Sequence, residues 1–195
     1  MGANLRTTKL KDGTEIQKIE SLDEWPVTDK AAYTAYEYDF ENNIERNGLL
    51  YNRVCIEYEK LCPDGWHVPT TTDWDMLGIS QGGKADEYQT FANVTQGLKS
   101  TDGWNDYPGT NETGFNGYPT GYLYSSYSHM DGDTPVYNSG FAYVGDYAGW
   151  WSTSGFWSES LFFRAFVSYS HDMERFSCTS TYAFPVRCVA DYTEQ

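Results

Sequence analysis

Four cysteines, three histidines and a few closely spaced carboxylates are the residues whose types and spacing can do chemistry in this chain. Cys55, Cys62, Cys178 and Cys188 form an even set with no Cys-x-x-Cys pair and no histidine at metal-ligand spacing, which argues against zinc. The two early cysteines lie far from the two late ones, a layout that suits disulfides closing long loops in an oxidising, extracellular setting. Four buried thiols in a reducing cytosol are the alternative. Asn105, Asp106, Asp131 and Asp133 offer the hard oxygen ligands that calcium takes, although Asp131-Gly132-Asp133 reads more simply as a solvated turn. His67, His129 and His171 have no nucleophile motif beside them, and no Gly-x-Ser-x-Gly, His-Glu-x-x-His or phosphate loop occurs. Asp172 and Glu174 have the chemistry for glycoside hydrolysis, but among 28 acids such a pair carries no signal.

Tyrosines are the other candidates. Tyr122, Tyr124 and Tyr127 alternate with Ser and Gly, and Tyr137, Phe141, Tyr143 and Tyr147 follow among Asn, Ser and Gly. Antibody combining loops have this composition, because rigid amphipathic rings give contact area at low entropic cost and small residues adapt hydrogen bonds. An exposed binding surface over residues 120–147, carried on loops, is one expectation. The competing one is that half or more of these rings fill the core, as Trp150, Trp151 and Trp157 are expected to. Exposure of fewer than two of the six tyrosines would favour the second.

These residues need a scaffold. A length of 195 residues and 22.2 kDa suits a single domain with a full core, and 17% aromatic content separates the chain from disordered acidic sequences. Thirteen Lys and Arg against 28 Asp and Glu leave a net charge of −15, which excludes unaided binding to nucleic acid or an anionic membrane. No apolar run is long enough to span a membrane, and Met1 to Leu10 lacks a signal-peptide layout, so the chain reads either as the start of a cytosolic protein or, in preference, as a piece of a longer precursor. Residues 4–16 alternate and turn at Asp12-Gly13, predicting a hairpin of two early strands. Residues 48–56 read as helix or strand. Thr70 and Asp73 form a Thr-x-x-Asp capping box, so a helix carrying Trp74 and Leu77 should begin there. A second helix is predicted over 86–98 from Tyr88, Phe91 and Val94. After residue 100 the aromatics concentrate, Lys disappears, and Arg164, Arg175 and Arg187 are the only cations. Leu161 to Ser170 is apolar on both faces and predicts a central strand. Residues 182–190 predict a last strand with Val186, Cys188 and Ala190 on one face.

Several strings name a family. They are Leu61 to Pro69 (LCPDGWHVP) followed by Trp74, Thr110 to Phe115 (TNETGF), the Pro119 to Tyr122 turn (PTGY), Trp150 to Ser154 (WWSTS) and Val186 to Val189 (VRCV). Together they resemble the Fibrobacter succinogenes major paralogous domain, found in exported and lipid-anchored surface proteins of Bacteroidetes and related bacteria. The likeness runs from about residue 4 to 191, one domain. More distantly, Val68-Pro69 then Trp74, with Arg187-Cys188, is similar to the formylglycine-generating-enzyme superfamily and hence to the C-type-lectin fold. The resemblance implies an α+β, C-type-lectin-like domain: small twisted antiparallel sheets, about two helices, long loops, and termini that meet in a sheet. It gives Trp66, His67, Pro69, Trp74, Trp150 and Trp151 a structural role. It pairs Cys62 with Cys188 and leaves Cys55 with Cys178, whereas the residues themselves leave all three connectivities open.

Formylglycine-generating enzymes bind copper through two nearby thiols, for which Cys178 and Cys188 are the candidates here. The Arg-Gly-Gly-Ser-type segment of those enzymes is absent. Trp104-Asn105-Asp106 matches a tripeptide of calcium-dependent lectins, but precedes their usual late-strand position and lacks a Glu-Pro-Asn or Gln-Pro-Asp partner. No cofactor is therefore expected. The function implied is a non-enzymatic, extracellular, adhesin-like module that recognises a glycan or protein ligand through Tyr-rich loops, with no nucleic-acid partner and no direct membrane insertion. A structural spacer is the alternative, and a copper oxidase the third reading.

Overall fold

A computed structural model describes residues 2–42, 44–57, 60–153, 161–178 and 181–192. In chain order its elements are β1 (Gln17–Lys18), β2 (Ala32–Thr34), α1 (Ile44–Asn47), β3 (Leu50–Tyr51), α2 (Arg53–Glu57), β4 (Trp66–His67), α3 (Thr71–Ser80), β5 (Thr120–Asp131), β6 (Thr134–Val144), β7 (Tyr147–Trp151), β8 (Leu161–Val167), β9 (Met173–Cys178) and β10 (Val189–Ala190). They form four small sheets, ordered β1-β2-β3, β10-β4, β5-β6 and β7-β8-β9. Of the strand pairings among the described residues, β1–β2 is parallel and the others antiparallel. Small sheets with few helices make this a mixed α+β arrangement. Among the described residues no helix is long and apolar enough to cross a membrane.

The helix predicted from the capping box is α3. Thr70 accepts from the Asp73 backbone N–H, and the Asp73 carboxylate accepts in return from the Thr70 N–H at 2.8 Å. The early hairpin turns where expected, with Gly13 at φ 85 and Asp12 accepting from the Thr14 N–H, but it shortens to one Lys9–Glu15 bridge. Residues 48–56 contain both elements, β3 and then the start of α2. No helix forms over 86–98. Asp86 there accepts from the Tyr88 and Thr90 N–H groups, Gln89 and Asn93 take left-handed backbone, and Phe91 exchanges two backbone hydrogen bonds with Met173. Phe91 and Val94 are buried through that long-range pairing while Tyr88 is exposed, so the 3.6-residue spacing is coincidental with respect to helix.

Strand β8 is central, between β7 and β9, and buried on both faces as its composition predicted. Its Arg164 is 1% exposed and pairs with Asp75 of α3, which joins helix to sheet. The last strand is interrupted. Ala183 and Phe184 bridge to Leu123 and Tyr51, residues 183–188 are buried, and β10 alone pairs with β4; Ala190, expected on the buried face, is exposed. The segment 120–144 is also not a set of loops. It is one long antiparallel hairpin closed by Gly132-Asp133, with glycine first at φ 60 as type II′ turns require.

Cys62 and Cys188 are bonded, with Cα atoms 5.9 Å apart, and tie the segment before α3 to the chain's last buried stretch. The other expected pair does not form. Cys55 is a buried thiol donating to the Ala32 carbonyl at 3.4 Å, and burial pushes its pKa up to about 12. Cys178 ends β9 as a second free thiol. Trp150 and Trp151 are fully buried, whereas Trp157 and Ser154 lie outside the described residues. The chain ends meet where the Leu5 N–H donates to the Val186 carbonyl at 2.8 Å. Beside that bond Asn4 Oδ1 accepts from Trp150 Nε1 at 2.8 Å, Arg187 Nη2 at 2.9 Å and Arg187 Nε at 3.2 Å. Lys99 is equally buried, donating to the carbonyls of Tyr107, Val167 and Ser170 and thereby pinning the long irregular segment 95–119 to the end of β8.

Two outcomes follow from this scaffold. Unfolded in denaturant without reductant, the protein should titrate two thiols, and Cys62→Ser should cost about 2–5 kcal/mol in chemical denaturation. Four titratable thiols, or none, would contradict the disulfide assignment. Asn4→Ala strands one buried cation and one indole N–H, so it should cost about 3 kcal/mol or more, and a loss below about 1 kcal/mol would show that water replaces the amide.

Candidate functional site

Beside the root of the β5–β6 hairpin and one face of the β7–β8–β9 sheet lies an open cleft of about 760 Å³. That volume is in the range of small-ligand sites. Register explains its lining. In β8 and β9, Phe163 stands opposite Phe176, and their rings stack at 5.6 Å. Tyr147, at the start of β7, packs against both rings, at 6.4 and 6.0 Å. Tyr122 from β5 joins through Tyr147 at 5.5 Å and Phe184 at 5.0 Å, and Tyr182 lies 5.9 Å from it. Tyr169 and Asp146 complete the rim, with Ser126, Ser168, Ser177 and Cys178.

The hairpin root is distorted in a way that serves this cleft. Gly121 has φ 66, and a Cβ there would come within 2.3 Å of the Ala142 carbonyl oxygen. Tyr143, across from it, also takes left-handed backbone, φ 65, which costs a side-chain-bearing residue on the order of 1–2 kcal/mol. Its ring stacks on Tyr122 at 5.5 Å and 22°, yet the residue remains 57% exposed.

The electrostatics of the cleft are those of neutral rings beside acids. Burial, reinforced by Tyr143 and Tyr182, pushes the Tyr122 phenol up to about 12. Burial and then Glu174 carry Tyr147 well above the ordinary phenol range. Glu174 is itself raised by burial, against the Tyr169 hydroxyl that donates to it at 3.4 Å. Asp146 accepts from the Ser168 hydroxyl at 2.7 Å. The phenols therefore stay protonated at neutral pH and offer both ring faces and hydrogen-bonding hydroxyls.

The six tyrosines singled out by sequence divide. Tyr122, Tyr143 and Tyr147 meet in the cleft. Tyr127 and Tyr137 face each other across the outer half of the hairpin as an edge-on pair, and Tyr124 lies against Gly140. Tyr127 and Tyr143 are exposed and the other four half-buried, so the surface expectation meets its threshold of two while most rings also pack. Asp146, Tyr169, Phe176 and Tyr182 were not singled out. Strand alternation did place Phe163 and Tyr169 on one face, but Phe176 and Tyr182 arrive through pairing that no local pattern shows.

The remaining candidates disperse. The Asn105 side chain lies against Gly145 at the hairpin root, whereas Asp131 and Asp133 sit at its tip. The intervening strand, at about 3.3 Å per residue, keeps them on the order of 30 Å apart. Asp106 accepts from the adjacent Tyr107 N–H, and among the described residues no group of three His, Cys, Asp or Glu converges as metal ligands would. Cys188 is committed to Cys62, which removes the thiol pair a copper(I) site would use. His129 is exposed on the hairpin, His171 packs edge-on to Tyr107, and Asp172 accepts from the Asn93 N–H. A smaller cavity of about 340 Å³ lies under Trp74, Leu77 and Phe115, and its cation, Arg187, is bound to Asn4 and the Phe115 carbonyl.

His67 clamps structure together. Its Nδ1 lies 2.7 Å from Asp191 and its Nε2 3.1 Å from Asp73, linking the chain beyond β10 to the cap of α3. Burial alone would lower its pKa, but the hydrogen bonds to Asp191 and Asp73 outweigh that and the net direction is upward. Asp73 moves downward, since its bonds to Thr70 and His67 outweigh burial.

Among family descriptions, the Fibrobacter succinogenes major domain matches residues 1–190. No curated protein and no solved structure matches the chain.

Two measurements test this geometry. The raised His67 contributes stability that is complete below its ordinary 6.5 and lost as pH rises through its folded pKa; the lowered Asp73 contributes above 3.8 and is lost as pH falls. The melting-temperature gap between the protein and His67→Gln should therefore be widest between those values and narrow as pH rises through the folded pKa of His67; a gap that is flat with pH would contradict the clamp. At Tyr143 the usual strand order should invert, with Tyr143→Gly more stable than Tyr143→Ala by about 1 kcal/mol. The opposite order would mean the backbone there is unstrained.

Proposed function

The chain belongs to the Fibrobacter succinogenes major domain family, and from that premise we propose that it is a non-enzymatic, adhesin-like binding module of an exported surface protein. Its ligand, a glycan or a protein segment, occupies the aromatic cleft. One observation carries the reading: Tyr143 holds an unfavourable backbone conformation and keeps its ring more than half exposed over Tyr122. Strain of this kind persists where surroundings over-determine it, and a ring needed only for the core would be buried. Sugar rings and apolar side chains both bury well against such faces, and the serine and tyrosine hydroxyls around them supply orientation.

The Cys62–Cys188 bond suits an oxidising compartment, in line with a cell-surface, lipid-anchored setting of the Bacteroidetes kind. We also read the architecture as C-type-lectin-like. In its support, both chain ends converge beside the disulfide, and the segment between α3 and β5 is long and irregular. A spacer role would leave the exposed Tyr143 and Tyr169 rings without a purpose.

A glycan array and a screen of surface-protein fragments test this directly, comparing the protein with Tyr143→Gly/Tyr169→Ala and with Tyr127→Ala/Tyr137→Ala outside the cleft. A ligand that loses at least tenfold affinity with the first variant and none with the second supports the cleft. Equal binding by all three proteins overturns it, and silence throughout favours the spacer.

A further inference from the structure

The groups around the cleft are of one sign. Among the described residues its lining consists of tyrosines, phenylalanines, serines, Cys178 and Asp146, with no lysine, arginine or histidine. A second carboxylate, Glu174, follows from strand register: it stands opposite Ala165, on the face of β8 and β9 that carries Phe163 and Phe176, and meets the Tyr169 hydroxyl. The nearest cation in sequence, Arg175, points to the other face and lies over Phe162 at 4.7 Å. Around this the protein carries a net charge of −15, so its field draws cations toward any apolar, acid-rimmed recess.

Aromatic faces carry negative charge at the centre of the ring, and they attract an ammonium or guanidinium within about 6 Å of the centroid. Tyr122, Tyr143, Tyr147 and Tyr182 supply such faces at several inclinations, with Tyr143 tilted 53° from Tyr147 and Tyr122 at 73° to it. Asp146 keeps one oxygen on Ser168, which orients the carboxylate. A neutral sugar would stack on the same rings and donate hydroxyls to the two carboxylates, but it would leave their charge uncompensated. A basic side chain uses both, its alkyl stem against the rings and its charged end toward the acids.

Resting on the cleft reading above, we propose that its occupant is a lysine or arginine side chain of a basic protein segment, held by the tyrosine faces and by Asp146 and Glu174.

The test titrates the whole domain with acetyl-Gly-Lys-Gly-Lys-Gly-amide, its arginine counterpart, the same peptide with both lysines acetylated, tetramethylammonium chloride and methyl glucoside. Tyrosine-ring chemical shifts are followed in the protein, in Asp146→Asn and in Tyr143→Gly. The lysine and arginine peptides should bind, weaken with added salt, lose at least tenfold on acetylation and at least threefold in Asp146→Asn, whose melting temperature should match the parent. Equal binding by the acetylated peptide overturns the proposal, as does the absence of any shift with the charged peptides. Tighter binding of tetramethylammonium would reassign the cleft to a quaternary-ammonium headgroup and overturn the protein source. Methyl glucoside moving the cleft resonances where lysine peptides do not would overturn the cation and leave the cleft as a binding site. Failure of the cleft itself reads out separately, as screen hits that bind the Tyr143→Gly/Tyr169→Ala variant undiminished.

Discussion

A guanidinium buried without a carboxylate holds this fold together. Arg187 is 4% exposed, burial draws its pKa down to about 9, and among the described residues no acid bridges it. Its charge is met instead by Asn4 Oδ1, by the Phe115 carbonyl and by the rings of Phe115 and Trp150, at 4.1 and 5.3 Å. These partners belong to three residues, Asn4, Phe115 and Trp150, from distant parts of the chain. A desolvated cation is costly unless every partner is in place, so the N-terminal strand-like segment, the loop at 115, β7 and the last buried stretch must assemble together. The neighbouring Cys188 bonds to Cys62 and β10 pairs with β4, so the stretch that carries Arg187 is fixed at adjoining points as well.

Two further buried cations, Lys99 and Arg164, act as fasteners elsewhere, the first through carbonyls and the second through a carboxylate. Lys99 replaces secondary structure with three charge-assisted bonds to carbonyls, which lets a long irregular segment lie against β8. Arg164 fastens the central strand to α3 through Asp75. With one face of the sheet held in this way, the other face of β8 is free to present Phe163. The aromatic cleft follows from that presentation, since Phe163 stacks on Phe176 within the sheet while Tyr147 and Phe184 link it to the hairpin root.

Much of this was legible where the physics is local. The Thr70–Asp73 box announces α3 because both hydrogen bonds are made within one turn. Apolar residues on both faces mark Leu161 to Val167 as central, and the pairing of Cys62 with Cys188 is implied by the family resemblance. Where local and distant demands compete, the reading fails. Phe91 and Val94 have helical spacing, yet their segment bonds to Met173 and His171 instead. Cys55 and Cys178 look like partners by count, but one is enclosed beside Ala32 and the other ends β9 at the cleft.

The sequence by itself determined the chemistry available: an acidic chain, aromatic-rich after residue 100, with tyrosines set among Ser and Gly. It also singled out six tyrosines as candidate binding residues. Only the tertiary structure decided which ones. Tyr122, Tyr143 and Tyr147 lie on one hairpin root and its neighbouring strand, but the cleft also needs Tyr169, Phe176 and Tyr182, which strand pairing and the path of the last segment bring in. Composition specifies ring faces and hydroxyls; their convergence depends on register and on buried cations whose partners lie scores of residues away, and a linear pattern does not encode those distances.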